Sequence, residues 1–308
     1  MKEINANIEL NKKQILLKEH TINKLLSNDL VIRFLNDNNL DDEIVKRYPF
    51  RFKIWLESLS KCIKCKGLSE CKQDSIGEYF DLKYDGILDL QVEKCEYSLN
   101  EYSKTKHLKY FRYNDLPTNL QTISLLSAIT DDYTTDYINS YNNIVKWYTN
   151  KDYSKGLYIY GDVGVGKSYL AACVANEFAK QKKYVSYIHI PTFVNNIRNL
   201  MINDSNEYKY VINQIKNSYF VVFDDIGAEA LTSFNRDEIL MPLLDYRMNN
   251  NMLTMFTSNE DFNSLHDHFE NDNKSVNKIE TLKADRIMER IKSLANLLNL
   301  EGLNRRNH

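Results

Sequence analysis

The segment Gly161-Asp-Val-Gly-Val-Gly166-Lys167-Ser168 constrains this chain more than any other feature of its 308 residues. It follows a short apolar run, Leu157 to Tyr160, and precedes a stretch in which Leu170, Val174 and Phe178 recur at helical spacing. Strand, glycine-rich turn and helix in that order complete the pattern G-x-x-x-x-G-K-[ST] in the context its mechanism requires. Glycines let successive backbone N–H groups face one centre, and a helix N-terminus adds partial positive charge. Such a cradle holds phosphate oxygens. Gly161, Asp162, Val163, Gly164, Val165 and Gly166, with Tyr169 just beyond, are the expected nucleotide-binding residues. Lys167 reaches the β- and γ-phosphates, and Ser168 holds Mg²⁺. A chance glycine-rich turn is the alternative, and the bracketing strand and helix argue against it. Nothing in the motif separates ATP from GTP.

Four apolar runs, Leu157 to Tyr160, Tyr184 to Ile190, Tyr219 to Phe223 and Leu253 to Phe256, alternate with helical stretches. Those stretches are Lys167 to Lys180, Thr192 to Lys216 and Asn235 to Asn249. The alternation predicts βαβ units, a parallel sheet and helices on both of its faces. The third run ends in Asp224-Asp225. An acid at a strand end beside a phosphate loop helps hold Mg²⁺ in P-loop ATPases, which assigns Asp224 to the metal. Asp225 would then polarise the attacking water as general base. Two aspartates that merely cap the next turn are the plainer alternative.

The fourth run leads to Thr257-Ser258-Asn259. Asn259 there can hydrogen-bond the γ-phosphate or the water, as at the sensor-1 position of AAA+ ATPases, or simply begin a turn. Lys283 to Leu298 predicts an amphipathic helix with Ile287, Ile291, Leu294 and Leu298 on its stripe and Arg286 and Arg290 along one edge. Arginines so placed either solvate the helix or reach a neighbouring subunit's γ-phosphate. In the second case the active site is complete only on self-association. The polar stretch Glu270 to Thr281 is expected to be a mobile loop.

The length predicts two domains. Residues 1–99 form the first. Helical spacing in Ile22, Leu25 and Leu26 and in Leu30, Val31, Phe34 and Leu35 predicts helices there, with a break at Tyr48-Pro49-Phe50 and a short helix from Ile54 to Leu59. Residues 62 to 95 are polar and hold four of the five cysteines. The basic tract 100–115 is expected as a linker and 116–308 as the ATPase domain. A formal net charge of -2 gives nucleic-acid binding no support in bulk, so any DNA contact needs a local basic surface. Tyr208, Lys209 and Tyr210 offer stacking and charge to a single strand, with a solvated helix end as the plainer reading.

The N-terminus lacks the apolar core of a signal peptide, and the longest apolar run, Tyr219 to Phe223, is too short to cross a bilayer. A cytoplasmic chain without membrane contact is expected, with its thiols reduced. Cys62-x-x-Cys65, Cys71 and Cys95 then read as a structural zinc site, because thiolates suit tetrahedral zinc and a loop-rich segment gains folding energy from the staple. Incidental free cysteines are the alternative. Cys173, among Ala171, Ala172 and Val174, is expected to pack in a core.

Asp224-Asp-Ile-Gly-Ala-Glu229, Arg236-Asp-Glu238 leading into Pro242-Leu-Leu-Asp-Tyr-Arg-Met248, Thr257-Ser-Asn259, Arg286-Ile-Met-Glu-Arg290 and Gly302-Leu-Asn-Arg-Arg306 together resemble the bacterial helicase loaders of the DnaI/DnaC type. The resemblance covers residues 109 to 308 and extends more loosely, through the cysteines, over the N-terminal part. It implies an α/β fold: an AAA+ P-loop core with a parallel sheet flanked by helices and no full lid domain. Joined to it would be a small, mainly helical, zinc-binding domain that binds the helicase. It further implies slow, assembly-dependent hydrolysis of ATP, binding of single-stranded DNA, and delivery of the replicative DNA helicase ring onto that strand during primosome assembly.

By matching positions, the resemblance makes Arg290 the arginine finger and Arg305, or its neighbour Arg306, a sensor-2 residue on the nucleotide. Glu229 would share the catalytic role with Asp225. The family carries Zn²⁺ in its N-terminal domain, which supports the cysteine site with Cys95 as fourth ligand. Two other functions use the same core. One is a transposase helper ATPase, which usually lacks a zinc-bearing N-terminal domain. The other is a small-molecule P-loop kinase, which needs neither Asn259 nor an arginine supplied in trans.

Overall fold

The structure, a computed structural model, describes residues 12–128, 134–229, 232–270 and 278–305. It divides into two units, Met1–Ser103 and Lys104–His308. The first contains helices α1 (Lys12–Leu26), α2 (Asp29–Asp37), α3 (Glu43–Arg47) and α4 (Pro49–Cys62), then strands β1 (Glu78–Tyr84) and β2 (Leu88–Lys94), then α5 (Glu96–Thr105). Pro49 occupies the start of α4, where a helix has no N–H to lose. The break expected at Tyr48 to Phe50 is therefore a helix start, and the short helix expected at Ile54 to Leu59 is the middle of a 14-residue one. Phe52 and Trp55 from α4 pack with Val31, Leu35, Leu82 and Leu88 in the core of this unit.

The segment read as loop-rich holds an antiparallel hairpin, β1 with β2, in register from Glu78 opposite Lys94 to Tyr84 opposite Leu88. Alternation at Phe80, Leu82 and Tyr84 and the Asp85-Gly86 turn are hairpin signals. A two-stranded ribbon is marginal alone, and here it lies against α4, where the Trp55 indole donates to Asp81 at 3.0 Å.

The second unit is built on a six-stranded sheet in the order β3-β5-β6-β7-β4-β8, with every recorded pairing parallel. Its strands are β3 (Phe111–Asn114), β4 (Gly156–Tyr160), β5 (Val185–His189), β6 (Phe220–Asp224), β7 (Leu253–Ser258) and β8 (Ala295–Asn299). Its helices are α6 (Thr135–Thr149), α7 (Lys167–Lys180), α8 (Ile190–Asn203), α9 (Ser205–Lys216), α10 (Met241–Asn249), α11 (Phe262–Glu270) and α12 (Lys278–Leu294). Successive side chains on a strand face opposite ways, and the core divides accordingly. Phe220 and Val222 join one cluster with Leu170, Val174 and Phe178 of α7. Val221 and Phe223 join the other with Phe193 of α8, Leu243 of α10 and Ile287 of α12. A sheet covered on both faces explains the near-continuous apolar strands.

Several boundaries differ from the sequence pattern. Residues 111 to 114, inside the expected linker, form edge strand β3 and pair with β5. The helix expected from Lys283 to Leu298 ends at Leu294, and Ala295–Asn299 pairs with β4 as β8, so Leu298 is not on the helical stripe. The helix expected from Thr192 to Lys216 breaks at Asp204, whose carboxylate caps α9 by accepting from the Asn206 and Glu207 amides. Asn235 to Asn249 begins as a π-helical turn, Phe234–Leu240, before α10. Residues 271–277 of the expected mobile loop lie outside the described residues.

A buried arginine fixes the sheet's lower rim. Arg247 of α10 has no exposed surface. Its guanidinium donates to the Ser218 and Leu253 carbonyls at 3.0 and 2.6 Å and to the Thr254 hydroxyl at 2.9 Å. Burial pulls its pKa down to about 9, which leaves it charged at neutral pH. No described helix is long and apolar enough to cross a membrane.

Candidate nucleotide site

Open parallel sheets bind ligands beyond the carboxyl ends of their strands. A cleft of about 770 Å³ opens there. It is lined by Gly164, Gly166, Lys167, Ser168 and Tyr169 from the glycine-rich loop and α7, by Asp224 and Asp225 after β6, by Asn259 after β7, and by Arg305. Elements far apart in sequence thus bring together most residues named from sequence.

The loop owes its path to its glycines. Gly161 has φ +153°, and a Cβ there would stand 2.2 Å from the Leu300 carbonyl oxygen. Gly166 caps α7 at φ +104°, in the left-handed region that side chains disfavour. Val165 is buried and anchors the loop to the core, and Val163 is half exposed at the cleft. Asp162 contributes its carbonyl. The Lys167 ammonium donates to the Gly161 and Asp162 carbonyls and to Asn259 Oδ1, each at 2.8 Å. The cation is thereby held over the amide cradle at the helix N-terminus, and the geometry suits a polyphosphate.

The acidic side is equally constrained. Asp224 is buried, and its Oδ1 accepts from the Thr257 hydroxyl at 2.6 Å. The Asp225 amide donates to the same hydroxyl oxygen at 2.9 Å. Asp225 has φ +60°, a conformation aspartate tolerates better than most residues. Asn259 Nδ2 approaches Asp225 Oδ1 at 3.4 Å, and His189 Nε2 lies 4.0 Å from Asp225 Oδ2. Asn259 therefore touches both the ammonium and the half-buried Asp225 carboxylate.

The tail after β8 straps the loop. The Leu300 amide donates to the Tyr160 carbonyl at 2.7 Å, and the Arg305 amide to the Gly164 carbonyl at 3.0 Å. The Arg305 guanidinium sits 5.2 Å from the Tyr137 ring centroid. Arg306 lies outside the described residues.

Arg290 is not in this cleft. Its Nε donates to Asp245 at 2.7 Å, and its terminal nitrogen to Glu289 and to the Arg286 carbonyl. Arg286 is exposed. A role on nucleotide for either residue requires the cleft of another copy.

Tyr187, His189, Thr192 and Asp115 also line the cleft, and sequence reasoning missed them. The Tyr187 hydroxyl donates to the Ser168 carbonyl at 3.3 Å, and burial holds that phenol well above its ordinary pKa. Asp115 accepts from the His189 amide at 3.1 Å, and burial raises its carboxyl pKa. His189 ends β5 as Asp224 ends β6, so the polar residue closing an apolar run was the available signal. Asp115 follows β3 and was hidden inside the expected linker.

Glu229 stands beside the cleft rather than in it. It is 4% exposed, its Oε2 accepts from the Gly227 amide at 2.8 Å, and its Oε1 has no partner among the described residues. Burial pushes its pKa up to about 7 from 4.5. The native carboxyl keeps its proton to higher pH than the unfolded one. Between those two values the native state binds more protons, so stability falls as pH rises through the window. Glu229→Gln keeps an acceptor for Gly227 and cannot ionise. The variant is expected to match the wild type near pH 4, below both values, and to exceed it by about 1–3 kcal/mol at pH 8. Denaturant unfolding of the second unit at the two pH values measures this, and an equal offset at both would contradict it.

In the first unit, Cys62, Cys65, Cys71 and Cys95 line one small pocket of about 200 Å³. The Gly77 amide donates to Cys71 Sγ at 3.4 Å and the Ser98 amide to Cys95 Sγ at 3.5 Å. Gln73 Nε2 reaches Cys62 Sγ at 3.2 Å. Among the described residues no three of these sulfurs lie within 4.8 Å of one another. The set that does is His266, Asp267 and Glu270 of α11. Cys173 is buried in the core of the second unit as expected, and burial pushes its thiol up to about 12.

Comparison with known proteins agrees with this geometry. The family model for IstB-like ATP binding protein matches residues 128–302. The replicative helicase loader DnaI of Bacillus subtilis (strain 168) is 29% identical over 294 residues, covering 92% of this chain and 91% of that protein. A crystal structure of DnaI is 30% identical with a TM-score of 0.53, covering 63% of this chain and 98% of its own. The matched segment contains the phosphate loop, the acidic strand end and the asparagine that joins them. The chain therefore belongs to the IstB-like ATP-binding proteins, in the company of the DnaI helicase loaders.

Proposed function

We propose that this protein is an ATP-dependent loader that places the replicative DNA helicase on single-stranded DNA at the start of replication. The carrying observation is the extent of the likeness to DnaI, 92% of this chain, which takes in the cysteine-bearing first unit as well as the ATPase unit. A transposase helper ATPase would be expected to share the ATPase segment only.

In this reading ATP lies along the amide cradle with Lys167 on its terminal phosphates. Ser168 and Asp224 both reach the cleft and supply the hydroxyl and carboxylate that suit Mg²⁺. When bound, the ion neutralises phosphate charge. Asp225, half-buried and φ-constrained beside Asn259, orients and deprotonates the water. Arg305 lies on the nucleotide as sensor 2, and Arg290 completes a neighbouring copy's site, which makes hydrolysis slow until copies assemble. The test is capture of the cognate replicative helicase by the full chain with and without ATP. Retention of the helicase supports the loader reading, and its absence in both conditions sinks it.

The first unit is proposed to hold structural Zn²⁺ through Cys62, Cys65, Cys71 and Cys95. Support comes from their shared pocket and from two backbone amides aimed at thiol sulfur, the donors that stabilise thiolate. Metal analysis of the full chain is expected to find one zinc per chain, lost in Cys62→Ser with Cys65→Ser. A zinc-free chain with an intact thermal transition would contradict the site.

A further inference from the structure

We propose that Glu229 and Glu260 form one proton-sharing carboxyl pair behind the acidic strand ends, and that this pair holds the Asp225 turn in place for hydrolysis. Each carboxyl has an oxygen left over. Glu229 is 4% exposed, its Oε2 accepts from the Gly227 amide at 2.8 Å, and its buried Oε1 has no partner among the described residues. Glu260 Oε2 is buried and likewise has none. Both carboxyls are set around one glycine, since a Cβ on Gly227 would stand 2.9 Å from Glu260 Oε2. Buried polar atoms of native proteins are hydrogen-bonded with few exceptions, so two orphaned oxygens on neighbouring acids call for one explanation. A single proton between them supplies it, because a protonated carboxyl donates and a carboxylate accepts.

The surroundings offer the pair no counter-charge. Asp225 acts on Glu229, and Asp261 and Asp267 act on Glu260, and all three are carboxylates. Tyr158 of β4 donates its hydroxyl to the Glu260 backbone carbonyl at 2.8 Å, which leaves the carboxyl itself unaided. Buried Leu265 of α11 closes on Gly227 from the other side, its Cδ1 2.8 Å from where a Cβ would stand. Among the described residues no lysine, arginine or histidine hydrogen-bonds or ion-pairs with either carboxyl. Burial raises the pKa of both acids, that of Glu229 to about 7. Two like charges in so dry a place do not both form readily, and the pair gives up its proton as a unit.

Backbone hydrogen bonds tie the pair to Asp225. Glu229 holds the Gly227 amide, and the Ala228 amide closes the turn on the Asp225 carbonyl at 3.2 Å. From β7 the Glu260 amide donates to the Ser258 hydroxyl oxygen at 3.1 Å, and that hydroxyl donates to the Ile226 carbonyl at 2.6 Å. Asp225 stands between these ties at φ +60°, a conformation that persists only where its surroundings hold it. With the proton in place, the ends of β6 and β7 are joined through the two side chains as well. As pH rises through the range of the pair the proton leaves, two buried charges face each other beside Gly227, and the turn loosens. Neither acid lines the cleft, so both are positioning residues. Their effect on rate rests on the reading of Asp225 as the group that orients the water, and the shared proton does not.

The test uses the full chain with isotope-labelled glutamate, whose carboxyl carbons report each titration by NMR, alongside ATP hydrolysis against pH. In the wild type the Glu229 carbon is expected to titrate near neutral pH. In Glu260→Gln the new amide donates to ionised Glu229 where the proton stood, and the midpoint is expected to fall by about one pH unit or more. Between about pH 6 and about pH 8.5 the wild type is expected to lose at least about threefold more of its rate at saturating ATP than Glu260→Gln does, with KM for ATP the same in both. Glu229→Gln makes the same hydrogen bond from the other side and is expected to show the same flatter profile. An ordinary glutamate midpoint for Glu229 in the wild type, a midpoint unmoved in Glu260→Gln, or identical rate profiles would each overturn the proposal. Asp225→Asn removes the base itself and is expected to lower the rate at every pH. A wild-type rate in that variant would sink the reading of Asp225, while the carboxyl titration decides the pair on its own.

Discussion

Lys167→Ala is expected to weaken ATP binding by about a thousandfold. Lys167 is 7% exposed, and its ammonium is held by two loop carbonyls and Asn259, each at 2.8 Å. That arrangement aims one cation at the centre of the amide cradle with little freedom left to lose. Charge-assisted hydrogen bonds to phosphate contribute roughly 1.5–3 kcal/mol each, and losing two of them comes to about 4 kcal/mol. Alanine is the best helix former, so the first turn of α7 should survive the change. Titration with a fluorescent ATP analogue measures the loss. An affinity within a factor of about three of wild type would refute the assignment.

Arg290→Ala is expected to leave ATP binding by the isolated chain intact and to lower hydrolysis by the assembled protein about a thousandfold. The motive is geometric. Arg290 lies outside its own cleft, tied to Asp245 at 2.7 Å on the facing helix. An arginine acting in trans must leave or share that tie when copies meet. Arg290→Lys should not restore the rate, since a point ammonium does not reproduce the planar fork. Specific activity of the wild type should also fall on dilution. Full turnover by Arg290→Ala in the assembled state would show that the residue serves only the α10–α12 contact.

How far the sequence could be read follows from the kind of signal each element carries. The phosphate loop was legible because its chemistry needs particular residues at particular spacing, and the structure sets Lys167, Ser168, Asp224, Asp225 and Asn259 around one cleft. The buried strands β4 to β7 were legible as apolar runs because both faces of the sheet are covered. Strands β3 and β8 were not. They are the edge strands, and Phe111-Arg-Tyr-Asn114 and Ala295-Asn-Leu-Leu-Asn299 carry polar residues that only lateral pairing with β5 and β4 makes sense of. Thr257 shows the same limit within the site. Its hydroxyl links Asp224 to the Asp225 amide, a role set entirely by the register of β7 against β6. The tail was legible as an arginine pair, but its path over Gly161 and Gly164 was not, because that depends on where β8 ends.

Isothermal titration of the purified chain with ATP and Mg²⁺ decides whether the glycine-rich loop is a nucleotide site. The cradle of loop amides with Lys167 at its rim predicts one saturable site per chain, lost in the Lys167→Ala variant. Heats no larger than dilution for the folded wild-type chain would contradict the claim.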